Sequence, residues 1–250
     1  MIRFLFLISL FITSLTFSQE ALLQFEHANQ LYREGKYTEA VKMYEEILKN
    51  GFESPSLYYN LGNAYFKLNK IPLSIISYER ARRLDPNDED IFYNLRIANL
   101  HVVDKIEPIP PLFFISWWNS FINNLSSDGW ALVLIVSLWF TTISTLLMIW
   151  LKRVRFQRLA FIIAVLSFIF TIIAIIGINQ RLSRENNKNE AVIMAQVVSV
   201  KSAPDEKSTD LFILHEGVKV EILDKVEKWH KIKLADGKIG WLEENTFEII

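Results

Sequence analysis

Residues 130–151 read WALVLIVSLWFTTISTLLMIWL and residues 159–178 read LAFIIAVLSFIFTIIAIIGI. Neither run, of 22 and 20 residues, carries a charge. At a rise of about 1.5 Å per residue, helices of these lengths reach about 33 Å and about 30 Å, enough to cross a bilayer's hydrocarbon core. Between them lies KRVRFQR, residues 152–158, with Lys152, Arg153, Arg155 and Arg158 and no acid. Short basic loops stay on the cytoplasmic side of a membrane. The pair therefore reads as a transmembrane hairpin whose outer ends emerge on the far side. A helix that is apolar all round needs lipid or a large core about it, and the rest of this chain is too small to bury two.

Upstream, residues 1–18 read MIRFLFLISLFITSLTFS. One Arg precedes an apolar run, and Thr16 and Ser18 set small residues just before Gln19. This is the pattern of a secretory signal peptide, with an uncleaved anchor as the alternative. Either way the segment after Gln19 is exported, which agrees with the orientation read from the basic loop.

Charge is segregated along the chain. Residues 19–107 hold 11 Lys and Arg against 14 Asp and Glu, residues 108–188 hold 7 against 2, and residues 189–250 hold 8 against 12. The positive charge lies at the hairpin and both flanks are mildly acidic, so no nucleic-acid footprint is present. With no cysteine in the chain, disulfides, thiolate metal sites and a Cys nucleophile are excluded. His27, His101, His215 and His230 show no metal-ligand spacing. No GxSxG, HExxH or phosphate-binding loop occurs, so the reading is of a protein that is not an enzyme and carries no cofactor.

The segment between the signal and the hairpin repeats itself. Ala28 aligns with Gly62, Asn29 with Asn63, Lys36 with Lys70, Ala40 with Ser74 and Tyr44 with Tyr78, each pair 34 residues apart. A third copy starts where Tyr93, Asn94 and Leu95 follow Tyr59, Asn60 and Leu61 at the same offset. Small residues stand where paired helices must approach, and tyrosines where a repeat must fill space. A 34-residue period of two helices is the tetratricopeptide (TPR) signature. It predicts a helical domain over 20–105, with helices near 21–34, 37–49, 55–68, 71–84 and 88–104, the last closing an open stack.

Such stacks form concave surfaces. If the first helix of each repeat lines the concavity, the facing residues are Phe25, Asn29, Tyr32 and Arg33, then Tyr59, Asn63, Phe66 and Lys67, which share one helical face. On this reading the Asn pair, Arg33 and Lys67 grip a peptide backbone or carboxylate, and the aromatic rings seat apolar side chains. On the alternative reading, the rings pack within the superhelix and the two Asn cap or link helices.

Residues 108–129 form an uncharged aromatic stretch up to Ser127. Phe113, Phe114, Trp117, Trp118 and Phe121 fall at helical spacing, so a helix near 112–124 lying at the membrane interface is predicted. Beyond a polar linker over 179–189, the pattern changes to short alternating runs. Strands are predicted at Val192–Val200, Leu211–His215, Val218–Lys225, Trp229–Leu234, Ile239–Leu242 and near Phe247, with Asp236-Gly237 as a tight turn. Five or six short strands over 190–250 suggest a small barrel. Lys201-Ser202-Ala203-Pro204, Gly217, Trp229 and Asp236-Gly237-Lys238-Ile239-Gly240-Trp241 closely resemble bacterial SH3-like domains. Relatives of that kind bind peptides or cell-wall components, so Trp229 and Trp241 are candidate ligand platforms, with packing favoured over display for at least Trp241.

The expected architecture is a multidomain membrane protein made of an all-α TPR repeat, a two-helix transmembrane hairpin and a small all-β SH3-like barrel. In order and size these parts resemble the BatE-type aerotolerance proteins of Bacteroides relatives. The resemblance implies membrane-associated protein partners of the Bat type, including von Willebrand factor A-type and other TPR proteins and a MoxR-type ATPase. It also implies a role in oxidative-stress tolerance or envelope maintenance at the inner membrane, with the TPR and SH3-like domains in the periplasm. The expected function is a scaffold binding proteins through both domains while contacting lipid. The alternative is an envelope sensor that holds peptidoglycan on the barrel.

Overall fold

The computed structural model describes residues 19–185 and 189–250. The signal reading falls on residues 1–18, outside the described residues. The described residues form two compact units, one of residues 19–109 with 189–250 and one of residues 110–185.

The first unit begins with five helices: α1 over 19–33, α2 Tyr37–Lys49, α3 Pro55–Lys67, α4 Ile71–Leu84 and α5 Glu89–Leu100. Their starts are written in the sequence. The Ser54 hydroxyl accepts from the Leu57 amide at 3.1 Å ahead of Pro55, and the Asp88 carboxylate accepts from Asp90 and Ile91 at 2.9 and 3.1 Å. Both are N-caps satisfying donors that the first helical turn leaves open. α5 stops four residues before its predicted end. There the Lys105 ammonium bonds the carbonyls of Asn99, Leu100 and Val102, and Val102 itself is buried. Within the repeats the small positions behave as the offset implied. A side chain on Gly62 would meet the Tyr78 ring at 2.7 Å.

Seven strands complete this unit: β1 Glu190–Ile193, β2 Val197–Lys201, β3 Asp210–His215, β4 Lys219–Val226, β5 Trp229–Lys233, β6 Ile239–Glu243 and β7 Phe247–Ile249. They pair antiparallel in the order β3-β2-β6-β5-β4-β1-β7. The sheet is the expected SH3-like one, and it is open: β3 bonds to β2, β7 to β1, and the two edges do not meet. The single strand predicted at 192–200 is two. Its halves serve different neighbours, β1 joining β4 and β7 while β2 joins β3 and β6, and the Met194 and Ala195 amides turn to the Thr246 carbonyl between them.

The helices and the sheet are not separate domains. One apolar core contains Ile75, Ile76 and Tyr78 of α4, Leu95 and Ala98 of α5, and Val102, together with Val192, Val200, Leu214, Val218, Val220, Ile232 and Leu242 of the sheet region. Gly217, at φ +89°, sits so close that a side chain there would meet Val102 at 2.8 Å and Ile75 at 3.4 Å. Polar ties surround the seam. Asp104 accepts from the His215 amide at 2.7 Å and contacts its ring at 3.1 Å. Arg80 donates to the Ile249 carbonyl and Arg83 to that of Ile250, each at 2.9 Å. Glu79, only 7% exposed, receives Arg82 at 2.6 Å and Lys219 at 3.1 Å.

In the second unit, α6 spans Phe113–Asn123, α7 Ser127–Trp150 and α8 Val154–Glu185. α7 and α8 are long and apolar enough to cross a membrane. The loop between them is shorter than the 152–158 reading, because Arg155 and Arg158 already lie in α8. α8 likewise continues past Ile178 into the expected linker. The two helices meet along small residues, and Thr141 and Thr171 donate to Ser167 and Ser137 at 2.8 and 3.0 Å. Such close, hydroxyl-linked packing is how helices associate where lipid replaces water. Trp130 is 3% exposed, donates to the Ile122 carbonyl at 2.9 Å, and fills the space opposite Gly177, where a side chain would meet its ring at 2.6 Å. Arg184 holds Asn123 and Asn119 at 2.7 and 2.6 Å, and Trp118 donates to Gln180 at 3.1 Å, so α6 is pinned to the end of α8.

Glu79 gives the seam a pH dependence. Burial opposes its ionisation, yet the Lys219 and Arg82 cations outweigh burial and hold the carboxyl below its ordinary 4.5. A lowered folded value stabilises the fold above the unfolded value and ceases to do so as pH falls through the folded one. Glu79→Gln is expected to cost on the order of 2 kcal/mol at neutral pH, below the figure for a fully buried pair because Lys219 keeps Glu190. Denaturant titrations should show the gap between wild type and variant closing as pH drops below about 4.5. A gap independent of pH would contradict this account.

Candidate functional site

The faces of α1, α3 and α5 are held in place by a hydrogen-bonded motif that recurs with the repeat. The Tyr44 hydroxyl and the Asn60 amide both donate to the Asn29 carbonyl oxygen, at 2.7 and 2.8 Å. One repeat later, Tyr78 and Asn94 donate to the Asn63 oxygen at 2.7 and 3.0 Å. Every member of the second set stands 34 residues after its counterpart in the first. Each Asn thus ties its own helix to the second helix of its repeat and to the first helix of the next. Burial pushes the Tyr44 and Tyr78 hydroxyls well above their ordinary value, so both remain protonated donors. Asn94 also donates to the Tyr59 hydroxyl at 2.9 Å.

Above the second set lies a hollow of about 320 Å³, lined by Tyr32, Tyr59, Asn63, Phe66, Lys67, Tyr78, Asn94 and Ile97. Five of the eight residues expected on the groove come together here: Tyr32, Tyr59, Asn63, Phe66 and Lys67. The other three do not line it. Phe25 packs into the core of the first repeat with its ring 6.0 Å from that of Tyr44. Asn29 has the equivalent place one repeat earlier, and Arg33 is exposed at the end of α1. Reading the sequence missed Tyr78, Asn94 and Ile97 as wall residues. The shared offset of Asn60 and Asn94 was visible and is the signal that finds the motif. The oxygens of the Asn pair link helices, as the alternative reading expects, and Asn63 also borders the hollow.

On the sheet, the two candidate platforms differ in exposure. Trp229 is 6% exposed and packs rather than displays its ring. Trp241 is half-buried, with Lys201 and Lys231 as its cross-strand neighbours and the exposed Ile239 on the same strand. Pairing puts both on one face of the sheet, since Trp229 stands opposite Glu243 and Lys231 opposite Trp241. Beside Trp229, His230 is buried and edge-on to Phe247 at 5.0 Å, and burial lowers its readiness to protonate.

Comparison with known proteins follows this geometry. The tetratricopeptide repeat family matches residues 25–89, and the bacterial SH3 domain family matches residues 196–247. A search of curated proteins found no match for the chain. The chain therefore combines a TPR region, two long apolar helices and an SH3-like sheet. Modules of these two kinds serve interaction with proteins or cell wall.

The motif predicts an ordering of variants. Tyr78→Phe removes one of two bonds to Asn63 and should cost about 0.5–1.5 kcal/mol. Asn63→Ala strands both Tyr78 and Asn94 and should cost about 1–3 kcal/mol. Urea titration followed by helical circular dichroism checks the order. An Asn63→Ala protein as stable as wild type would mean the motif carries no structural load.

Proposed function

We propose that this protein is a membrane-anchored scaffold that binds protein partners on its TPR face and its SH3-like sheet. The observation that carries the reading is the fusion of two interaction modules through one core, in a chain that also holds two helices of membrane-spanning length. The hollow at Tyr59, Phe66 and Lys67 is the binding place on the helices, and the outward face about Trp241 is the one on the sheet. We further propose that α7 and α8 cross the inner membrane with the Lys152–Arg158 turn in the cytoplasm, placing both modules in the periplasm. The Bat-type resemblance, with its role in aerotolerance, supplies the proposed company: membrane-associated proteins of that system. Peptidoglycan held at Trp241 is the second reading, favoured by a half-buried indole on an exposed strand face.

Topology is tested with single cysteines, since the native chain has none. Ser56→Cys and Lys207→Cys, both at exposed positions, should react with an impermeant thiol reagent in intact spheroplasts, and Lys152→Cys should not. Labelling of only one of the first two would overturn the hairpin topology. Function is tested by cross-linking in native membranes followed by mass spectrometry. A scaffold gives protein adducts that Phe66→Glu and Trp241→Ala each deplete. Adducts unchanged by both variants, alongside co-sedimentation with peptidoglycan, would replace the scaffold with the wall-binding reading.

A further inference from the structure

The turn joining α7 to α8 carries Lys152, Arg153, Arg155 and Arg158, all of them exposed. Among the described residues, no ion pair holds any of these side chains. Residues 129–184 contain no Asp or Glu. The acids of the two helices, Asp128 and Glu185, stand in the first turn of α7 and at the end of α8, away from the turn. The hairpin therefore supplies these cations with no counter-charge. Arg184, at the far end, is treated differently: it donates to the Asn119 and Asn123 side-chain oxygens at 2.6 and 2.7 Å. The turn's backbone is also closed off. The Gln157 side chain donates to the Leu151 carbonyl at 2.8 Å, and the Phe156 and Gln157 amides donate to that of Arg153 at 3.0 and 3.1 Å. What the turn presents to its surroundings is its positive charge.

Beside that charge lies a cleft of about 430 Å³, lined by Met148, Val154, Gln157, Arg158, Phe161 and Ile162. The five residues of α8 recur at steps of three and four, so they share one helical face, and Met148 closes the cleft from the end of α7. Arg155 stands three residues before Arg158, a neighbour on the helix surface. Apart from Gln157 and Arg158, the lining side chains are apolar. Cations at the mouth of an apolar cleft match a molecule that is anionic at one end and hydrocarbon at the other. Free phosphate would leave the cleft unused, and a zwitterionic lipid would bring a cation of its own to the same place. Basic pockets between spanning helices hold anionic headgroups in this way. We infer that the α7–α8 turn binds an anionic phospholipid, its phosphate against Arg155 and Arg158 and the start of one acyl chain along Met148, Phe161 and Ile162. This rests on the reading of α7 and α8 as membrane-spanning helices and adds the lipid that their turn selects.

The test offers full-length protein in detergent an equimolar mixture of phosphatidylglycerol and phosphatidylethanolamine with matched acyl chains, and reads bound lipid by native mass spectrometry. Phosphatidylglycerol should be retained about tenfold over phosphatidylethanolamine at low salt, the scale of two cations at a membrane surface, and the ratio should shrink as salt rises. The double variant Arg155→Gln, Arg158→Gln, with unchanged helical circular dichroism, should lose most of that preference. Phe161→Ala with Ile162→Ala should lower the amount of phosphatidylglycerol held. Equal retention of the two lipids by the wild type would overturn the inference, and a preference unchanged in the arginine variant would overturn the site. Displacement of the lipid by soluble glycerol phosphate would show a plain phosphate site and overturn the acyl seat. Flotation with vesicles separates this inference from the reading beneath it. Protein that floats with them but shows no lipid preference overturns the inference alone, and protein that does not float overturns both.

Discussion

The seam between α4, α5 and the sheet is the contact on which the first unit depends. A two-repeat helical stack leaves one side of its last helices without a following repeat, and a solenoid end of that kind needs a cap. Here the cap is not a polar helix. Ile75, Leu95, Ala98 and Val102 share their core with Val218, Val220, Leu214 and Ile232, so the sheet covers what another repeat would otherwise cover. Burying such side chains is worth roughly 1.5–3 kcal/mol each relative to leaving them in water, far more than the exposed ion pairs scattered over the surface. Glu79 adds specificity: a nearly buried carboxylate met by Arg82 and Lys219 admits only the docking geometry that brings Lys219 of β4 to it.

The seam also shapes function. It fixes the sheet against α4 through Glu79, Arg80 and Arg83, leaving the face about Trp241 and the hollow at Phe66 on the same compact unit. A partner reaching both would meet them at a set separation rather than through a flexible linker, which is an advantage for a scaffold because less freedom is lost on binding. The repeated Tyr–Asn–Asn motif gives the helical side the same property. The Asn29 and Asn63 oxygens are consumed in holding the helices in register.

Much of this was legible in the sequence. The 34-residue offset placed the helices, since several residue types recur together at it. The two long apolar helices were legible from length and absence of charge. Alternation and Asp236-Gly237 located most strands. The seam was not legible, because Ile75 or Val220 reads equally well as the core of its own domain; an apolar residue does not name its partner. Closure of the sheet was not legible either, as it depends on which edges meet rather than on alternation along each strand. The burial of Trp229 was not legible either, since it shares a sheet face with the half-buried Trp241 and alternation does not tell which of the two is covered. The basic turn seemed seven residues long because charged residues were counted as loop, whereas Arg155 and Arg158 are good helix formers and begin α8.

Hydrogen exchange of the full-length protein, compared segment by segment with Gly217→Val, tests the shared core most directly. Gly217 lies in the turn before β4, at a φ that disfavours other residues, against Val102 and Ile75. If the repeats and the sheet are one cooperative body, the variant should lose protection by a similar factor in α4, α5 and the strands. If protection falls in the strands alone and α4 and α5 exchange as in wild type, the two modules fold separately and the account is wrong.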